Sequence, residues 1–128
     1  TGALNVVVAQ RLCRKICEEC KGPDNVSIEE LVACGIAPSS AQKIKPMKGA
    51  GCDYCGGTGY KGRVAIYEVL SITPGVKELV LRNSSSDEIK KQAIKDGMKT
   101  LRMAGLTKVA LGETTLEEAI RNSSADKF

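Results

Sequence analysis

The sequence predicts an α+β chain in which a cysteine-rich lobe is inserted between two strands and a run of short helices follows. Three observations carry that reading. β-branched runs at Val6–Val8 and within Arg63–Leu70 mark two strands. Two Cys-x-x-Cys pairs, with six glycines between Gly49 and Gly62, mark the intervening segment as tight turns held by something other than a large core. From Thr73 onward, capping residues precede apolar positions at helical spacing.

Composition bounds the function. A length of 128 residues fits one modest domain or two small lobes, and the 42% apolar content with three Tyr, one Phe and no Trp implies an aliphatic core. There is no His, which removes the commonest general base near neutral pH, His-dependent triads and His-containing metal sites. The net charge of +4 is too mild to indicate nucleic acid. No apolar run approaches the roughly 20 residues of a bilayer span, and no secretory leader is visible, so a soluble, cytoplasmic protein is expected.

The first strand is read over residues up to about Lys15. An apolar strand so close to residue 1 implies a polypeptide that continues upstream. Within the lobe, Ser27 and Glu30 match a capping box before Ile28, Leu31 and Val32, with Gly35 as the stop, predicting a helix at about 28–34. Pro38 and Ser39 open a second short helix running through Ile44, which Pro46 ends. Arg63–Leu70 places Val64, Ile66 and Glu68 on one face and Ala65, Tyr67 and Val69 on the other, so this strand is expected inside a sheet with both faces covered. Two strands alone are marginal, and the missing neighbours again imply a larger unit. Thr73-Pro74 starts a helix with Val76, Leu79 and Val80; Ser85 and Glu88 start another that ends at Gly97. Leu101 to Ala110 makes a third, closed by Gly112 despite Gly105 within it. Thr114 and Glu117 cap a last short helix with Leu116, Ala119 and Ile120, and the tail from Asn122 is expected to fray.

Cys17 and Cys20 form one Cys-x-x-Cys arm, Cys52 and Cys55 the other, with 31 residues between them. A two-residue gap permits a tight knuckle whose N–H groups point at both sulfurs, and two arms complete a tetrahedron. Soft thiolates without His or a converging carboxylate argue for zinc, with an iron–sulfur centre as the alternative. Bringing the arms together costs about 3 kcal/mol of loop entropy, against the roughly 10–16 kcal/mol that structural zinc contributes in small fingers. Two disulfides are a further alternative, disfavoured by a reducing compartment. Four protein ligands leave no open position, so such a site is structural and not hydrolytic.

The remaining candidates have plainer readings beside the functional ones. Cys34 ends an apolar face and reads as a small buried hydrophobe; Cys13 shares a face with Cys17 and competes with it as a ligand, although Cys17 has the better spacing. Gly56, Gly57, Gly59 and Gly62 invite a phosphate-loop reading, but no P-loop motif is present and zinc-site turns explain them better. Arg63 and Glu68 are the residues that look like working electrostatic groups; Arg63 contacts phosphate or pairs with a carboxylate. Gln10, Arg11, Arg14 and Lys15 are either a solvated face or a nucleic-acid contact, and the scarcity of aromatics favours the former.

Taken in order, the string Val7–Cys17, the Cys-x-x-Cys arm, the run Gly51–Leu70 and the run Gly97–Arg121 resemble the C-terminal part of the type II secretion and type IV pilus assembly ATPases. The resemblance covers nearly the whole chain. It implies a RecA-like motor domain interrupted near its end by a four-cysteine zinc subdomain and finished by a helical subdomain. Carried over, residues 1–16 resemble a terminal strand of the motor core, 17–62 the zinc subdomain, 63–72 the returning strand, 73–122 the helical subdomain and 123–128 a tail. Cys17, Cys20, Cys52 and Cys55 resemble the family's zinc ligands, and Gly97–Leu101 and Thr114–Glu118 its Gly-Met-x-x-Leu and Thr-Thr-x-Glu-Glu signatures.

The family's Walker A lysine, catalytic glutamate, aspartate box and histidine box lie upstream of such a segment and have no position here. The resemblance therefore implies a parent that is a cytoplasmic, hexameric ATPase, peripheral at the inner membrane, using ATP and Mg²⁺. This stretch would supply structural zinc and contacts to other subunits or to the inner-membrane assembly platform, and would be inactive alone. Cys52–Gly59 also resembles one repeat of the DnaJ chaperone zinc domain, and a free-standing zinc-ribbon module binding nucleic acid or protein is the alternative function. The helical end argues against a lone ribbon.

Overall fold

The structure is a computed structural model that describes residues 6–123; expectations for residues 1–5 and for the tail from 124 to 128 lie outside the described residues. β1 (Val6–Ile16) leads into a lobe made of β2 (Lys21–Pro23), α1 (Ile28–Ala33), α2 (Pro38–Ala41) and β3 (Met47–Gly49). The chain then returns as β4 (Tyr60–Ser71), followed by α3 (Pro74–Leu81), α4 (Ser86–Lys95), α5 (Leu101–Ala110) and α6 (Leu116–Arg121). β1 pairs antiparallel with β4 in a two-stranded ladder from Val6↔Ser71 to Arg14↔Arg63, and β2 pairs antiparallel with β3. Beyond Arg14 the ladder bulges before the final pair Ile16↔Tyr60. Gly62, at φ +84°, occupies a left-handed position within that bulge.

The expectation that both faces of β4 are covered is corrected. Ile66 and Cys13 are sealed, at 1% and 0% exposure, where α5 and α6 pack on the ladder. The opposite face carries Val8, Leu12, Tyr67 and Val69, exposed at 57%, 50%, 51% and 44%. Apolar residues do alternate onto both faces, but among the described residues one helical layer, α5 and α6, covers the ladder. Gly105 explains how that layer gets close: a Cβ there would lie 3.2 Å from Ala119 Cβ and 3.7 Å from Ile66 Cδ1, so the glycine lets α5 approach both α6 and β4.

The core runs through the lobe. Leu31, Ile36 and Ala41 from the α1–α2 region bury against Leu106, Val109, Leu116 and Ala119 of α5 and α6. Of the apolar face expected on α1, Leu31 is buried, whereas Ile28 and Val32 are exposed. α2 stops at Ala41, short of the expected Ile44. Its start at Ala37 has no side-chain cap, and after Gln42 N–H reaches Pro38 O, the next bond shortens to Lys43 N–H on Ser40 O.

Caps at Ser27, Thr73 and Ser85 form as expected, each side-chain oxygen accepting the backbone N–H three residues on. The last cap is displaced by one residue. Thr115, not Thr114, accepts Glu118 N–H, because the Thr114 hydroxyl is engaged as a donor to Arg14 O at 2.8 Å. Nor do Asn122 and Ser123 fray: Asn122 Nδ2 donates to Glu118 O at 2.9 Å, and the buried Arg102 guanidinium donates to Ser123 Oγ and O at 2.8 and 3.1 Å. Among the described residues, no helix is long and apolar enough to cross a membrane.

Candidate metal centre

Four cysteines converge where the two sheets meet. Cys17 follows the end of β1, Cys20 precedes β2, Cys52 follows β3 and Cys55 precedes β4. Pairing of Lys21 with Gly49 pins the two knuckles side by side, reinforced by Ala50 N–H on Cys20 O at 3.1 Å and Cys17 N–H on Gly59 O at 2.9 Å. The backbones touch at a point where a side chain has no room. A Cβ on Gly49 would fall 2.1 Å from Gly59 O, and one on Gly59 2.5 Å from Gly49 O.

The four Sγ atoms lie within 4.8 Å of one another. Cys17–Cys52 and Cys52–Cys55 are 3.7 Å apart and Cys20–Cys55 is 3.9 Å. A tetrahedral ion with sulfur bonds of about 2.3 Å requires sulfur–sulfur edges of about 3.8 Å, so the donor set fits one such ion. A multi-iron cluster, with bridging sulfides between its irons, needs the protein thiolates farther apart. All six cysteines are free thiols, so the disulfide alternative is not adopted. Cys17 and Cys55 are buried and Cys20 and Cys52 half-buried.

Backbone N–H groups aim at the sulfurs: Gly51 donates to Cys20 Sγ at 3.2 Å, Cys52 to Cys55 Sγ at 3.3 Å and Gly59 to Cys55 Sγ at 3.2 Å. These donors split the thiols. Burial opposes charge at Cys55, but the Cys52 and Gly59 N–H groups and neighbouring thiols outweigh it, drawing its pKa down to about 6. At Cys20 burial dominates, the Gly51 N–H only partly offsets it, and the thiol is pushed up to about 11. The Cys52 and Gly59 N–H groups thus favour the thiolate form at Cys55.

The other singled-out residues go elsewhere. Cys13 is fully buried; burial, then the Glu118 carboxylate, raises its thiol pKa, so it packs and stands apart from the four-sulfur cluster. Cys34 packs half-buried against the core. Glu68 works as a structural tie: its Oε1 accepts Leu101 N–H at 3.0 Å, satisfying the first turn of α5, and lies 3.8 Å from Lys90 Nζ. Arg63 is exposed opposite Arg14 in the ladder, and no carboxylate pairs with it among the described residues. The Gln10–Lys15 group does not form one basic patch. Arg14 turns to Glu118 and the Tyr60 ring, while Gln10 Nε2 reaches Tyr67 OH at 3.4 Å.

The site residues that sequence reasoning missed are those around Arg14. Its backbone N–H donates to Glu118 Oε1 at 2.8 Å, its guanidinium to Oε2 at 3.1 Å, and it lies 4.1 Å over the Tyr60 ring, whose hydroxyl meets Thr115 Oγ1 at 2.8 Å. Burial resists ionisation of Glu118, yet the Arg14 bonds overcome it and hold its pKa below the usual carboxylate range. The Thr-Thr-x-Glu-Glu run was the visible signal, but nothing in it points to Arg14, some hundred residues away.

A family model described as "Type II/IV secretion system protein" matches residues 1–121. The chain is 44% identical over 129 residues to the type IV pilus assembly ATPase PilB of Myxococcus xanthus, covering 100% of this chain and 23% of that protein. It is 43% identical over 120 residues to the PilB of Thermus thermophilus, covering 94% and 14% respectively. To the type II secretion system protein E of Aeromonas hydrophila it is 34% identical over 127 residues, covering 98% and 25%. The chain spans a quarter or less of the length of these curated relatives.

Proposed function

The chain belongs to the type II/IV secretion ATPase family, and from that premise we propose that it is the C-terminal part of a hexameric ATP-driven motor for type II secretion or type IV pilus assembly. In this reading Cys17, Cys20, Cys52 and Cys55 hold a structural zinc ion. The carrying observation is the convergence of four thiols on edges that suit one tetrahedral ion, in a chain matched along nearly its whole length by such ATPases. When bound, zinc supplies a cross-link between the knuckles and, with four protein ligands, has no position left for water or substrate. The chain's own contribution is to place the sulfurs and to direct the Gly51, Cys52 and Gly59 N–H groups at their charge.

β1 and β4 are then two strands of a RecA-like core, left at Cys17 for the zinc subdomain and rejoined at about Arg63, with residues 73–122 as the helical subdomain. The bare face of Val8, Leu12, Tyr67 and Val69 supports this, being apolar surface suited to further motor layers. ATP and Mg²⁺ are handled by parts of the parent outside this chain, which by itself does not hydrolyse ATP. Its partners are neighbouring subunits and the inner-membrane platform, on the cytoplasmic side. The free-standing ribbon is the weaker reading, since the lobe shares its core with α5 and α6.

Metal analysis of the purified protein tests this. One zinc per chain is expected, lost when Cys17 and Cys52 are both replaced by serine. A native-like fold with a stoichiometry near zero overturns the zinc reading.

A further inference from the structure

Both strands that enter the metal centre also hold the start of α6. Ile16, immediately before Cys17, donates its N–H to Glu113 O at 3.0 Å. Two residues earlier, Arg14 accepts from Thr114 Oγ1 through its carbonyl and donates to Glu118 through its N–H and guanidinium. Just before the other strand, Gly59 is gripped twice by the centre: its N–H donates to Cys55 Sγ and its carbonyl accepts from Cys17 N–H. The next residue, Tyr60, reaches Thr115 at the cap of α6. The pair Ile16↔Tyr60 is separated from the main ladder by the bulge, so the regular register ending at Arg14↔Arg63 does not by itself fix it.

Resting on the metal reading above, we propose that Arg14, Tyr60, Thr115 and Glu118 form a metal-dependent latch. Closure of the four-cysteine centre fixes the strand ends at Ile16 and Tyr60, and these in turn dock α6. The latch contacts are largely shielded: Glu118, Thr114 and Thr115 are all buried, so releasing their partners strands polar groups away from water. Because such coupling is reciprocal, whatever zinc does for α6 docking, the docking does for zinc affinity. By contrast, α3 and α4 pack chiefly on each other and have no contact with the centre among these bonds. They provide an internal reference.

The experiment uses the full-length protein, first assayed for zinc stoichiometry, then compared by amide hydrogen exchange with and without zinc. Removal of zinc is expected to speed exchange in α6 at least tenfold while leaving α3 and α4 unchanged. In the reverse direction, Tyr60→Phe, which removes one hydroxyl, and Glu118→Gln, which removes the charge, are expected to weaken zinc binding roughly fivefold or more, although neither residue is a cysteine ligand. One bound zinc with unaltered α6 exchange on its removal overturns the latch alone. Equal acceleration through α3 and α4 overturns it in favour of general unfolding, and unchanged zinc affinity in both variants overturns it by showing that docking of α6 and metal binding are not coupled. Failure to bind any zinc overturns the latch together with the metal reading.

Discussion

The two faces of the β1–β4 ladder are built from the same kind of residue and have opposite fates. On one side Cys13 and Ile66 disappear under α5 and α6; on the other Val8, Leu12, Tyr67 and Val69 stand in the open. The difference lies in what the chain supplies as cover, since both sides are apolar. Burial therefore converts an apolar position into stability on one face only, while the other remains a surface whose value depends on a further layer.

Substitutions on the two faces can break that comparison. Ile66→Ala is expected to have the largest effect, about 3 kcal/mol of lost stability in denaturant unfolding, because the packed Cγ1, Cγ2 and Cδ1 atoms are removed from beneath the helical layer. An equal loss from Val69→Ala in this chain would show the faces to be equivalent. Next comes Glu118→Gln, expected to cost about 1 to 3 kcal/mol near neutral pH, since it weakens charge-assisted bonds from Arg14 in a buried setting.

Its pH dependence sharpens the point. The pKa of Glu118 in the folded protein lies below that of an ordinary glutamate, about 4.3. The unfolded chain thus takes up the proton first on acidification. The stabilisation is complete above that ordinary value and is lost as pH falls through the depressed one. Unfolding measured from pH 6 downward should show this slope in the wild type and a shallower one in Glu118→Gln.

A smaller effect, about 1 kcal/mol or somewhat more, is expected for Gly105→Ala, where the gain in helix propensity is opposed by a methyl group 3.2 Å from Ala119 Cβ. Thermal unfolding should register a net loss; a gain would mean that α6 yields easily. The smallest change is expected from Leu12→Thr on the bare face, within about 0.5 kcal/mol in this chain. In the full-length protein of the proposed motor, the same substitution should cost clearly more.

Much of this was legible because it is local chemistry. The cysteine arms announce themselves by spacing, and the caps at Ser27, Thr73 and Ser85 by oxygen-bearing side chains three residues from the amides they accept. The rest depends on partners distant along the chain. Thr114 and Thr115 are equally good caps in isolation, and only the Arg14 carbonyl, arriving from β1, assigns their roles. β2 and β3 escaped notice because Lys-Gly-Pro and Met-Lys-Gly have no strand pattern of their own and exist as a pair once the knuckles are apposed. Glu118 reads as one more helix-surface charge until the fold brings it an arginine.

The lobe enters and leaves through a narrow neck, Ile16 beside Tyr60, which invites the picture of a detachable cassette. The shared packing of Leu31, Ile36 and Ala41 with Leu106, Val109 and Leu116 denies it. Splicing a short turn across the neck would strip the floor from under α5, so grafting or exchanging this cassette between homologues succeeds when residues 101–119 travel with it.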